Sequence, residues 1–216
     1  MGSKFDIGLL HTPIIGDVRS LLTDINSSEA ELLRAKLVQK SMTLVKNDES
    51  LIPITNGKKS HALSISIGTS KRSAFQNVLG KHINTDHVQL NYDAVSGLQA
   101  SLLAKSKSYD HVFVTLEDMS KYSSKNFGLN NATINLVNQL ANGQVPVVLT
   151  VFGSPYALKH FDNVPNVLLA YEDDDQTQQI AAQALFGAFE VNGTLPVSVS
   201  ETLKEGHGLY LSLIHI

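Results

Sequence analysis

Between Val145 and Ser200 the chain reads VPVVLTVFGSPYALKHFDNVPNVLLAYEDDDQTQQIAAQALFGAFEVNGTLPVSVS. Two apolar runs rich in β-branched residues, Val147 to Val151 and Val167 to Ala170, each lead through a turn into a helical pattern. Runs that short and that uniformly apolar read as buried strands. They make two strand-to-helix units in succession, the building block of α/β folds.

The same alternation continues upstream. Ala62 to Ile67 reads as a buried strand stopped by Gly68, Ala74 to Leu79 as a short helix and Val88 to Leu90 as a strand. Leu98 to Ala104 reads as helical, Val112 to Leu116 as another buried strand, and Ile134 to Leu140 as part of a helix ended by Asn142-Gly143. Strands alternating with helices at this spacing predict an α/β fold, a three-layer α/β/α sandwich with a mainly parallel central sheet.

The ends are less regular. Asn26, Ser27 and Ser28 are candidate N-caps, Glu29 and Glu31 suit the positive end of a helix dipole, and Leu33, Leu37, Val38 and Met42 are spaced for one buried face. A helix of about four turns is expected there. Thr43 to Asn47, with Leu51 to Ile54 after it, reads as a short strand or hairpin in which Pro53 cannot serve a central ladder. Residues 1–27 read as a linker from an upstream element. The closing hexapeptide Leu211-Ser212-Leu213-Ile214-His215-Ile216 is what a common transposase sequencing adapter encodes, so residues 211–216 are read as an artefact and the domain as residues 28–210.

Composition narrows the function. A chain of 216 residues buries a core without staples. The net charge is -3 with lysine and arginine scattered, which leaves no basic face for nucleic acid. There is no cysteine, so neither a disulfide nor a thiolate metal site is available. No apolar run approaches the ~20 residues of a membrane span.

In open parallel sheets ligands bind beyond the carboxyl ends of the strands. That directs attention to residues 68–72, 117–126, 153–156 and 172–177. Glu117 and Asp118 follow a strand directly, where a carboxylate is ordinarily solvated or capping. The run Glu172-Asp173-Asp174-Asp175 suits a hard cation in principle, but it precedes a helical pattern and is read as a cap with dipole-favouring neighbours. The histidines show no zinc-ligand spacing, Gly153-Ser154-Pro155 lacks the second glycine of a nucleophile elbow, and no phosphate-binding glycine loop follows a strand. No metal and no cofactor are assigned.

The ordered set Phe152-Gly153, Pro155-Tyr156-Ala157-Leu158, Ala170-Tyr171-Glu172, Ala184-Leu185-Phe186-Gly187 and Gly193-Thr194-Leu195-Pro196-Val197-Ser198-Val199-Ser200 resembles the tail of the second, α/β-sandwich domain of family 3 glycoside hydrolases, above all their β-N-acetylhexosaminidase branch. Ser41-Met42-Thr43-Leu44-Val45-Lys46-Asn47 and Leu51-Ile52-Pro53-Ile54 resemble the opening of that domain, so the likeness runs from about Ser27 to Ser200. Lys159-His160-Phe161 is similar to part of the family's active-site signature but continues with Asp162-Asn163 where the signature has proline and glycine. That signature belongs to a preceding (β/α)-barrel, as do the nucleophile and the histidine-aspartate dyad of the hexosaminidase branch.

The resemblance implies a C-terminal supporting domain of a retaining glycosidase acting on β-linked N-acetylglucosamine or glucose, inactive alone, with the barrel as its partner in cis and a sugar shared between them. It also implies a bacterial setting, periplasmic or cytoplasmic. In some β-glucosidase relatives the general acid comes from a loop of this domain, but Glu117-Asp118-Met119-Ser120 does not reproduce that loop, and no catalytic residue is assigned. The alternative is a small-ligand-binding or partner-docking α/β domain without hydrolase activity. Candidate binding residues are Glu117, Tyr122 and Tyr156.

Overall fold

The computed structural model describes residues 27–48 and 50–212. The chain forms two units, residues 1–36 and 37–216. Helix α1 (Ser28–Ser41) begins in the first, with the Ala30 amide donating to Ser27 Oγ at 3.2 Å as an N-cap. The rest of the linker predicted over residues 1–27 lies outside the described residues. No residue of α1 is buried, and Leu33 and Leu37 are more than half exposed, so the apolar face expected here is not packed; only Met42, just beyond the helix, is buried.

The second unit is built on one six-stranded sheet: β1 (Thr43–Asn47), β2 (His61–Ile67), β3 (Asn84–Leu90), β4 (His111–Leu116), β5 (Val147–Val151) and β6 (Asn166–Leu169), in the order β1-β6-β5-β4-β2-β3. β2 to β6 pair in parallel, and β1 joins β6 antiparallel. Leu51 to Ile54 forms no strand, so the hairpin alternative fails: β1 finds its partner far along the chain. On its other edge β1 is met by the C-terminal segment, where the Leu209 amide donates to Leu44 O at 2.8 Å. Leu211, assigned to the artefactual tail on sequence grounds, is buried and exchanges two backbone hydrogen bonds with Val191; residues 213–216 lie outside the described residues.

Four more helices flank the sheet: α2 (Ala74–His82), α3 (Val95–Ser106), α4 (Asn131–Ala141) and α5 (Asp175–Ala184). Their starts are set by short polar side chains that satisfy otherwise orphaned amides. Ser73 accepts from the Gln76 amide, Asn130 from that of Thr133, and Asp174 from those of Gln176 and Thr177. The turn after β5 is not the expected α-helix but a 3-10 stretch, Pro155–His160, which carries Lys159 and a half-buried His160.

Strand alternation divides the core. Leu63, Ile65 and Ile67 of β2, Val112, Val114 and Leu116 of β4, and Val147, Leu149 and Val151 of β5 join Leu102, Leu136, Val137 and Leu140 of α3 and α4 in one aliphatic cluster. The intervening positions face α2 and α5, where Phe75 meets Phe152 edge to face at 6.0 Å and Gln76 hydrogen-bonds Ser64. Helix layers on both sides of a mostly parallel sheet make the predicted three-layer sandwich.

Candidate functional site

The strand order sets a topological switch point: the chain leaves β2 outward to β3, then crosses back over β2 to β4. At the carboxyl end of β2, Gly68 has φ +107°, and a Cβ there would lie 2.0 Å from the Glu117 carbonyl oxygen. Only glycine fits such an approach. Tyr92, half-buried, donates its hydroxyl to the same oxygen at 2.7 Å. Burial, followed by the charges of Asp173, Asp118 and Glu117, pushes the Tyr92 phenol well above its ordinary pKa, so it stays a neutral donor.

Glu117 is 3% exposed rather than solvated. Its carboxylate is the end of a hydroxyl row: Thr115 Oγ1 donates to Glu117 Oε1 at 2.6 Å, Ser66 Oγ lies 2.8 Å from Thr115 Oγ1, and Ser73 Oγ stands 3.4 Å from Ser66. Burial pushes the Glu117 carboxyl above its ordinary pKa, the hydrogen bonds of Thr115 and Ser66 oppose this, and the charge of Asp173 adds to it. The row exists because Ser66 and Thr115 are register partners on β2 and β4. Thr150, the register partner of Thr115 on β5, completes the line of side chains, but its hydroxyl is buried with no hydrogen-bond partner among the described residues.

The acidic run after β6 serves this edge structurally. Asp173 accepts from the Asp118 amide at 2.5 Å and from Gln178 Nε2 at 2.6 Å, while Gln178 Oε1 accepts from the Ala74 and Phe75 amides at the start of α2. Asp174 caps α5. Among the described residues no group of three or more histidine, aspartate or glutamate side chains is arranged to hold a metal ion.

Tyr122 is 66% exposed with Lys125 Nζ 5.8 Å from its ring centroid, and Tyr156 is 46% exposed in the turn after β5. Their two loops are tied: Met119 packs on Gly153, and His160 Nε2 lies 2.8 Å from Asn126 Oδ1. The structure therefore puts both tyrosines on adjoining loops at the carboxyl ends of β4 and β5 while the Glu117 carboxyl is engaged inside. Sequence reading missed Tyr92, Ser66 and Thr115. Period-two spacing from Glu117 back to Thr115 was the available signal; the partnership with Ser66 depends on register, which no local pattern carries.

The fold is a mostly parallel sheet covered by helices on both faces, with a topological switch point at the carboxyl ends of β2 and β4. Over residues 42–210 the chain matches the Glycosyl hydrolase family 3 C-terminal domain, and it belongs to that family. The resemblance drawn from the motifs is thereby borne out. Among solved structures the chain is similar to a glycoside hydrolase family 3 β-N-acetylglucosaminidase from Paenibacillus sp. str. FPU-7, with a TM-score of 0.66 and 17% identity over 81% of this chain and 33% of that one. It is similar to a β-glucosidase from Listeria innocua in complex with glucose, with a TM-score of 0.70 and 18% identity over 92% of this chain and 30% of that one. A β-glucosidase from Erythrobacter marinus gives a TM-score of 0.67 at 16% identity over 91% of this chain and 34% of that one. These likenesses are of fold, and the chain spans about a third of each structure. No curated protein matches the sequence significantly. No helix among the described residues is long and apolar enough to cross a membrane.

Proposed function

We propose that this chain is the C-terminal supporting domain of a retaining glycosidase acting on β-linked N-acetylglucosamine or glucose, and that it does not hydrolyse sugar alone. The observation that carries the reading is the state of Glu117. A retaining mechanism needs an acid and a nucleophile about 5–5.5 Å apart, both facing the scissile bond, whereas the Glu117 carboxyl is buried and held by Thr115. A carboxyl so buried braces the loop that follows β4 and does not face a leaving group in solvent.

The partner is a (β/α)-barrel in the same polypeptide, as family membership implies, and our reading assigns Tyr122 and Tyr156, exposed on the loops after β4 and β5, to a cleft shared with it. Leu32, Leu33 and Leu37, each more than half exposed on α1, supply apolar surface suited to a neighbouring domain. Incubating the purified chain with aryl β-N-acetylglucosaminides and aryl β-glucosides is expected to give no turnover. Turnover that disappears in Glu117→Gln would overturn the supporting role and make Glu117 the acid.

A further inference from the structure

Away from the switch point, the carboxyl end of β6 opens onto a shallow, open cavity of about 480 Å³ lined by Lys40, Ser41, Tyr171, Asn192, Gly193, Thr194 and Pro196. Its volume falls within the ~300–1,000 Å³ usual for small-molecule sites. The Gly193 side is set by backbone: the Gly193 amide donates to Met42 O at 3.1 Å, and a Cβ on Gly193 would stand 2.4 Å from that oxygen. Gly208 approaches from behind, where a Cβ would be 2.3 Å from Gly193 O.

Tyr171 forms one wall. Its φ of +65° is a left-handed conformation that bulky side chains rarely adopt, and strain of this kind persists only where the surroundings over-determine it. Here the hydroxyl is within hydrogen-bond reach of Thr43 Oγ1 at 2.8 Å and of the Thr194 carbonyl at 3.4 Å, which fixes the ring against the cavity. Asn192, Thr194, Ser41 and Lys40 are exposed around it, and no carboxylate is among the lining residues. An immobilised aromatic surface beside short groups that both donate and accept hydrogen bonds suits a ring with an apolar face and a hydroxyl rim. The lone cation favours an acidic substituent.

We propose that this cavity binds one hexopyranose ring, with an acidic sugar preferred over a neutral one through Lys40. The choice of sugar over other hydroxylated rings rests on the supporting-domain reading; the cavity itself does not.

The test is a titration of the ¹⁵N-labelled chain with glucuronate, glucose and N-acetylglucosamine, following amide shifts. Saturable shifts at Gly193 and Thr194 are expected, with glucuronate binding about threefold tighter than glucose, a gap that Lys40→Met closes. Asn192→Ala, an exposed change that leaves the fold intact, is expected to weaken every sugar about fivefold. Tyr171→Gly removes the ring while tolerating positive φ and is expected to abolish the shifts. No saturable shift up to about 100 mM, a range that captures even affinities weaker than millimolar, overturns the proposal. So do shifts that Asn192→Ala leaves unchanged. Hydrolysis by the chain alone would instead sink the supporting role and leave this site standing.

Discussion

The two faces of the central sheet are made from the same strands and answer to different physics. Toward α3 and α4 the register row Ile65, Val114, Leu149 and Val167 is purely aliphatic. Toward α2 and α5 the row one residue on is Ser66, Thr115 and Thr150, close to the buried carboxyl of Glu117. The first face holds the fold by removing apolar area from water, a term indifferent to direction. The second must satisfy each buried hydroxyl individually, and the reward for a hydrogen bond is smaller than the penalty for missing it. The polar row ends at the buried Glu117 near the carboxyl ends of the strands, so the face with the exacting hydrogen bonds is separate from the one that supplies aliphatic burial.

Substitutions can break that contrast. The largest effect is expected on the aliphatic face: Leu116→Ala should cost about 2–5 kcal/mol in urea denaturation, since the cavity it leaves has no solvent to fill it. Next, Thr115→Val keeps the shape but takes one hydrogen bond from the buried Glu117 carboxyl, for a loss of about 1–3 kcal/mol at neutral pH. A loss under half of that would mean that the hydroxyl row contributes little.

A pH series sharpens the comparison. Because the folded state raises the Glu117 pKa, its contribution is fully present below the ordinary glutamate value of about 4.3 and is lost as pH rises through the elevated one. Wild-type stability should therefore fall relative to Glu117→Gln as pH increases across that window. Parallel urea midpoints for the two proteins at all pH values would show that the carboxyl is not strained by burial. The smallest effect is expected one strand over: Thr150→Val removes a buried hydroxyl with no partner among the described residues and should be neutral or stabilising by about 1 kcal/mol. Opposite signs at Thr115 and Thr150, side by side on adjacent strands, would be the clearest support for the account.

The buried strands were legible because their β-branched runs are short and bounded, and Val147 to Val151 keeps the bounds read from sequence. The cap at Asp174 was legible for the same local reason. The pairing of β1 with β6 was not, since antiparallel addition at a sheet edge leaves no mark near Thr43. Nor was the failure of Leu33 and Leu37 to bury: their spacing describes a face but not what covers it. The loop positions of Tyr122 and Tyr156 after β4 and β5 were legible from the strands that precede them. The burial of Glu117 escaped because it depends on Ser66, Gly68 and Tyr92, which reach it only through the crossover.

The contact between Leu209 and the outer edge of β1 ties the first strand of the sheet to the last part of the domain to be synthesised. Until Leu209 emerges from the ribosome, β1 has an unsatisfied flank open to a second nascent chain. Shortening the chain ahead of Leu209 would therefore be felt first as a loss of solubility during production, before any change at the carboxyl ends of the parallel strands.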